Sequence, residues 1–163
     1  MAVTIRPAEP ADTALILSLI RELAEYERLP HEVVATEDAL RATLFGARSR
    51  AEVLIADADG QAAGFALFFH NYSTFLARPG LYLEDLFVRP AFRRQGIGRM
   101  LLTRLAGIAV ARGCGRFEWS VLDWNEPARR FYESLGARPM DEWTTYRMTG
   151  AALDELARKA GST

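Results

Sequence analysis

"LYLEDLFVRPAFRRQGIG", residues 81–98, is the stretch whose reading decides the fold. Leu81 to Val88 carries apolar side chains for both faces of a sheet, which predicts a central strand. Two adjacent carboxylates, Glu84 and Asp85, interrupt it. The run breaks at Pro90, passes Arg93 and Arg94, and reaches Gly96 and Gly98 as a helical stripe begins with Ile97, Leu101, Leu105 and Ile108. Glycines at a helix start let several backbone N–H groups converge on one anion. The helix dipole and Arg93, Arg94 and Arg99 add positive charge there. Such a nest suits a pyrophosphate. The alternative is an ordinary strand-to-helix turn whose glycines relieve crowding. A P-loop is excluded, because the pattern GxxxxGK followed by Ser or Thr is missing, and so is the GxGxxG dinucleotide fingerprint.

Outward from this stretch, both flanks read as alternating short elements. Val3 to Arg6 predicts a strand, with Asp12 capping a helix over Ala11 to Tyr26 on the stripe Leu15, Leu19, Ile20, Leu23. Thr36 caps a second helix, "TEDALRATLF". "AEVLIADA" and "QAAGFALFFHN" read as strands around Asp59-Gly60, a strong hairpin signal, and "YSTFLARPG" as a loop. Beyond the Ile97 to Arg112 helix, ended by Gly113, come a strand from Arg116 to Val121 and a helix from Asn125 to Leu135 capped by Asn125. Short strands at 138–140 and 143–148 and a helix from Ala151 to Ala160 complete the chain. The order β-α-α-β-β-β-α-β-α-β predicts an α/β (mixed α+β) fold, one domain over residues 1–163 with helices on both faces of a mixed sheet.

Composition narrows the function classes. A chain of 163 residues with a net charge of −1 can bury a sizeable core but lacks the basic face that nucleic acid demands. The single Cys114 excludes an intrachain disulfide, and His31 and His70 lack metal-ligand spacing, so no metal site is expected. The start has no signal-peptide pattern and no apolar run is long enough to span a bilayer, so the expectation is a soluble cytoplasmic protein without a membrane partner.

"VRPAFRRQGIG" resembles the acetyl-CoA loop of the GNAT acetyltransferases, whose pattern Arg/Gln-x-x-Gly-x-Gly/Ala falls here on Arg93, Gly96 and Gly98. "LIRELAEYE", "LYLEDLFV" and "WNEPARRFYESLGA" resemble matching stretches of the spermidine/spermine (diamine) N-acetyltransferase branch, over nearly the whole chain. The resemblance implies the GNAT fold: a central mixed, mostly antiparallel sheet, splayed between its fourth and fifth strands. It also implies acetyl-CoA as cofactor, a small-molecule amine as substrate and a homodimer. The connection "ADADGQAAG" is shorter than in the animal polyamine enzymes, which leaves open whether the amine is a polyamine, a diamine or thialysine-like.

Moving acetyl from a thioester to an amine makes three demands. The thiolate must be met by a proton or a strong hydrogen bond, and the resemblance singles out Tyr132 for this. A phenol of pKa about 10 facing a thiol of about 8.5 favours a short hydrogen bond over early transfer. The amine, an ammonium of pKa about 10.4, must lose its proton, and Glu84 is the candidate, since a carboxylate in an apolar strand is costly unless it faces a wet cleft. Strand alternation would send Asp85 to the other face, in a structural role. The oxyanion needs donors. The family pattern implies that the N–H groups of Leu86, Phe87 and Val88 lie along the cofactor arm. It also implies that Arg93, Arg94, Gln95, Gly96, Ile97, Gly98 and Arg99 hold the pyrophosphate. Asn125, Glu126, Pro127 and Ala128 line the rest of the groove. For the amine, the branch implies Tyr26, Glu27, Glu84, Glu118, Trp119 and Ser120. Two other uses of the fold remain open, a non-catalytic acyl-CoA-binding module and a protein-lysine acetyltransferase.

Overall fold

Asp59 and Gly60 both lie at positive φ, +50° and +81°, the backbone that a two-residue hairpin turn requires. They join β2 (Glu52–Ala58) to β3 (Gln61–Ser73). β1 (Val3–Pro7) adds antiparallel to β2, and β4 (Arg78–Val88) adds antiparallel to β3. β5 (Phe117–Trp119) then lies parallel to β4, giving one sheet in the order β1-β2-β3-β4-β5. The structure, a computed structural model, describes residues 1–162. They form two units, Met1–Leu122, which holds this sheet, and a second that begins at Asp123.

In the first unit, α1 (Thr13–Tyr26) and α2 (Glu37–Phe45) cover one face of the sheet. Ile16, Leu19, Leu23 and Leu44 pack there with Val53, Ile55, Phe65 and Phe87. The Thr36 hydroxyl caps α2 by accepting the Ala39 N–H at 3.2 Å. α3 (Ile97–Ala111) buries Ile97, Leu101, Leu102, Leu105 and Ala109 against the other face, where Ala66, Phe68, Leu81 and Leu83 are buried. The second unit holds α4 (Glu126–Ser134) and α5 (Gly150–Arg158).

Four expectations are corrected. Asp12 stands at the α1 N-terminus without capping it. Its carboxylate is taken by Arg6 at 2.8 Å and by the Glu9 N–H at 2.7 Å, and a charged guanidinium is a stronger partner than a helix amide. The segment read as a loop over 72–80 is mostly strand, because β3 runs to Ser73 and β4 starts at Arg78. β5 is three residues, since parallel pairing with β4 stops at Leu83 and Trp119. Among the described residues, 138–140 and 143–148 form no strand. Met140, Trp143, Tyr146 and Met148 stand exposed, with no ladder partner to satisfy an extended backbone.

An irregularity in β4 sets the facing of its acidic residues. Leu67 pairs with Asp85, but its neighbour Phe68 pairs with Leu83, so Glu84 is an extra residue on β4. This β-bulge shifts the alternation by one position. Phe69 faces Tyr82 and Phe65 faces Phe87, both on the α1 side. Glu84, two residues from Tyr82, and Asp85, two residues from Phe87, therefore share that side. The expectation that Asp85 turns to the opposite face is thereby overturned.

The tightness of the β3–β4 ladder can be measured. A Cβ at Gly64 would be driven into the Phe87 carbonyl and within 3.2 Å of the Val88 Cα, whereas Gly107, inside α3, has nothing near. Gly64→Ala is expected to destabilise by about 1–3 kcal/mol, and Gly107→Ala to stabilise by up to about 1 kcal/mol, both read by urea denaturation.

Candidate active site

Among the described residues no strand pairs with the β5-facing edge of β4 beyond Leu83, so residues 84–88 border a notch in the sheet. Leu86, Phe87 and Val88, expected to pair with a cofactor arm, lie along this stretch. The chain then makes a single 3-10 turn at Pro90–Phe92 and enters the glycine turn. Gly96 is the N-cap of α3 with φ +79° and no side-chain cap, leaving the first helical N–H groups to an external acceptor. The crowding explanation of the glycines fails here. A Cβ at Gly96 meets nothing within 4 Å, and one at Gly98 meets only a Val88 methyl at 3.9 Å. Gly96 is required by its backbone angle, and Gly98 leaves open space. Arg94, Gln95 and Arg99 are exposed around the turn, and Ile97 is buried beneath it. Arg99 and Gly96 also line a shallow, open pocket with Ile5, Met100, Thr103 and Arg104. An uncapped helix start with a left-handed glycine and exposed cations fits a diphosphate.

Arg93 differs from its neighbours. Its Nε donates to the Val88 carbonyl at 2.8 Å, and its guanidinium lies 4.9 Å from the Tyr26 ring centre and 5.5 Å from that of Phe87. It points toward α1.

On that side three carboxylates gather. Glu27, the C-cap of α1, is raised above its ordinary pKa by burial and then by the charge of Glu84. Asp85 is pushed up to about 7, chiefly by burial, then by Glu84 and Glu27. Glu84 itself is exposed. Arg89, at the end of β4, is held by Glu22 at 2.9 Å and by the Ala62 carbonyl at 3.0 Å, and so is committed elsewhere. Asp85 was missed in the sequence because alternation hides it, and only the bulge brings it to this face.

The β5 residues divide. Glu118 pairs with Tyr82 and accepts a hydrogen bond from the Asn71 amide at 3.5 Å, and the Ser120 hydroxyl lies 2.8 Å from that of Tyr82. Both thus share the Tyr82 side with Glu84. Trp119 pairs with Leu83 and packs edge-on against Phe117 at 4.9 Å, on the other face. In the second unit, the buried Asn125 caps α4, its Oδ1 accepting the Ala128 N–H at 3.4 Å, while Glu126 and Pro127 open the helix exposed. Tyr132, half-buried, has its ring 5.6 Å from that of Phe131 and lies seven residues from Asn125, on the same side of the helix. Among the described residues no cluster of potential ligands could hold a metal ion, and no helix is long and apolar enough to cross a membrane.

Residues 16–137 match the family model described as Acetyltransferase (GNAT) family. The chain belongs to the GNAT acetyltransferases. It is 42% identical to the thialysine N-epsilon-acetyltransferase of Sus scrofa, over 97% of this chain and 99% of that protein. It is 38% identical to an L-ornithine N5-acetyltransferase of Arabidopsis thaliana, over 93% of this chain and 86% of that protein. An integron cassette protein from V. cholerae superimposes with a TM-score of 0.82 at 29% identity, covering 97% of this chain and 99% of that one. The protein is thus an acetyl-CoA-dependent N-acetyltransferase with the mixed, open sheet of the GNAT fold.

Substitutions in the turn probe this GNAT site. Gly98→Ala should not lower the melting temperature yet should weaken acetyl-CoA binding in calorimetry, because its methyl group would meet a ligand held in the turn rather than protein. Gly96→Val should weaken binding too, through strain at positive φ. Asp85 provides a pH test. Its carboxyl is raised in the fold from an ordinary 3.8 to about 7. The folded state therefore binds the extra proton across that window, and stability falls as pH rises through it. Asp85→Asn is expected to raise the melting temperature at pH 8 by several degrees and to have little effect at pH 4. An equal gain at both values would remove the titration from the explanation.

Proposed function

We propose that this enzyme transfers acetyl from acetyl-CoA to a primary amine of a small cationic substrate (a polyamine, diamine or thialysine-like amino acid) by direct attack in a ternary complex. The observation that carries this reading is the set of three carboxylates, Glu27, Glu84 and Asp85, on the side of the sheet where Tyr26 ends α1, next to the notch in β4. Clustered negative charge and an aromatic face attract an alkylammonium. The thialysine and ornithine acetyltransferases that the chain is similar to act on amines of amino acids, which supports the substrate class.

Acetyl-CoA supplies an activated acetyl group as a thioester. The residues proposed to hold it are the N–H groups of Leu86, Phe87 and Val88, the turn from Arg94 to Arg99, and Asn125 to Ala128 at the start of α4. Glu84 is proposed to orient the ammonium and pass its proton to water. Asp85 joins it, because a carboxyl titrating near 7 is better matched to a proton leaving an amine than one near 4.3. Tyr26, Glu27, Glu118 and Ser120 complete the amine side in this proposal. Trp119, on the opposite face, belongs with the packing of β5. Tyr132 is proposed to donate its phenolic hydrogen to the sulfur.

The reading extends to a single functional domain over residues 1–163 and to a cytoplasmic homodimer. Trp143, Tyr146 and Leu156, exposed to 77%, 93% and 53%, support association of the second unit with another copy. A thiol-release assay across spermidine, putrescine, thialysine and ornithine tests the function, and silence with every amine despite measured acetyl-CoA binding would refute it. Tyr132→Phe is expected to lower turnover by about one to three orders of magnitude with acetyl-CoA affinity retained. Unchanged turnover would take the tyrosine out of the mechanism.

A further inference from the structure

Two arginines tie the last turns of α1 to the end of β4. Arg89 grips Glu22 through Nη2 at 2.9 Å and Nε at 3.1 Å. Four residues later in both segments, the Arg93 guanidinium lies over the Tyr26 ring, 4.9 Å from its centre, and 5.5 Å from the centre of the Phe87 ring. Its Nε closes the arrangement on the Val88 carbonyl at 2.8 Å. Tyr26 is the final residue of α1, after which Glu27 caps the helix and Arg28 turns the chain at φ +64°. The N–H groups of Glu27, Leu29 and Arg28 take the Leu23, Ala24 and Glu25 carbonyls and close the backbone of this helix end, so what remains to be fixed is where its side chains sit against β4. The Arg89 contact fixes the turn before, and the Arg93 contact fixes the end itself.

We propose that Arg93 is a positioning residue of the amine site, which acts by pinning Tyr26 and the neighbouring Glu27 to the end of β4, and not a ligand of the cofactor's phosphates. The proposal rests on the acetyl-transfer reading for its functional meaning. Its geometry is specific to arginine. The planar guanidinium can stack on two rings while an in-plane Nε–H reaches a carbonyl, whereas a lysine ammonium has no plane to stack. Arg93 also opens the turn that runs on through Arg94 to Gly98, so one residue links the anion-binding turn to the helix end that carries the amine contacts. Phosphate binding is then left to the backbone of the turn and to Arg94 and Arg99, both exposed there.

The test uses Arg93→Ala, Arg93→Lys, Tyr26→Leu and the Arg93→Ala/Tyr26→Leu pair, in the full chain. With the best amine from the panel, Arg93→Ala should raise the amine KM about tenfold, which corresponds to about 1.4 kcal/mol. Its kcat should change less than about threefold, and its calorimetric acetyl-CoA Kd less than about twofold. Lysine should not rescue. Tyr26→Leu should raise KM similarly, and the pair should add little to either single change. A tenfold weaker acetyl-CoA Kd with an unaltered amine KM would make Arg93 a cofactor ligand and overturn the proposal. Should no amine be turned over even by the unaltered enzyme, the functional reading fails on its own. The pinning is then decided by hydrogen exchange: faster exchange of the amides over residues 24–29 in Arg93→Ala supports it, and unchanged exchange overturns it.

Discussion

A single extra residue in β4 decides which of its side chains share a face of the sheet. Because Glu84 has no partner of its own on β3, the strand alternation is offset by one position at that point. Leu81 and Leu83 before the bulge pack toward α3, and Asp85 and Phe87 after it face α1. Pairing with β5 ends at Leu83, one residue before the bulge. The same irregularity thus adjoins the notch in the sheet and gathers two consecutive carboxylates on one side. A regular strand would have separated them.

That grouping works against the stability of the fold. Asp85 is largely removed from water beside two other acids, and Arg89, four residues further on, is committed to Glu22. Burying a carboxylate among like charges is unfavourable, and the carboxyl responds by holding its proton to about pH 7. A cation placed there would relieve this repulsion.

The glycine turn that follows β4 has a different physical basis. It involves no strained contact with the protein: Gly96 is there for its left-handed backbone and Gly98 for the space it leaves. Open N–H groups, a helix dipole and exposed arginines suit a mobile, highly charged ligand that binds and leaves. The acidic side and the basic turn lie at successive stretches of one short segment, residues 84–99. That proximity suits an enzyme whose two substrates carry opposite charge and meet at their reactive ends.

Much of this was legible in the sequence, for identifiable reasons. Asp59-Gly60, the Thr36 and Asn125 caps and the Gly96 helix start are local devices, set by backbone angles and nearest neighbours, and all four stand where the residues put them. The apolar stripes of α1 and α3 likewise depend only on helical period. Asp85, Arg93 and residues 138–148, which form no strand among the described residues, depend on partners distant in the chain. The bulge exists only in relation to β3, and the stacking of Arg93 needs Tyr26 brought in from α1. A run such as 143–148 becomes a strand only if another strand offers it hydrogen bonds. Residue order therefore determined the locally coded turns, caps and helical stripes, and the tertiary structure decided which side chains share a face, because pairing register is a property of two strands together.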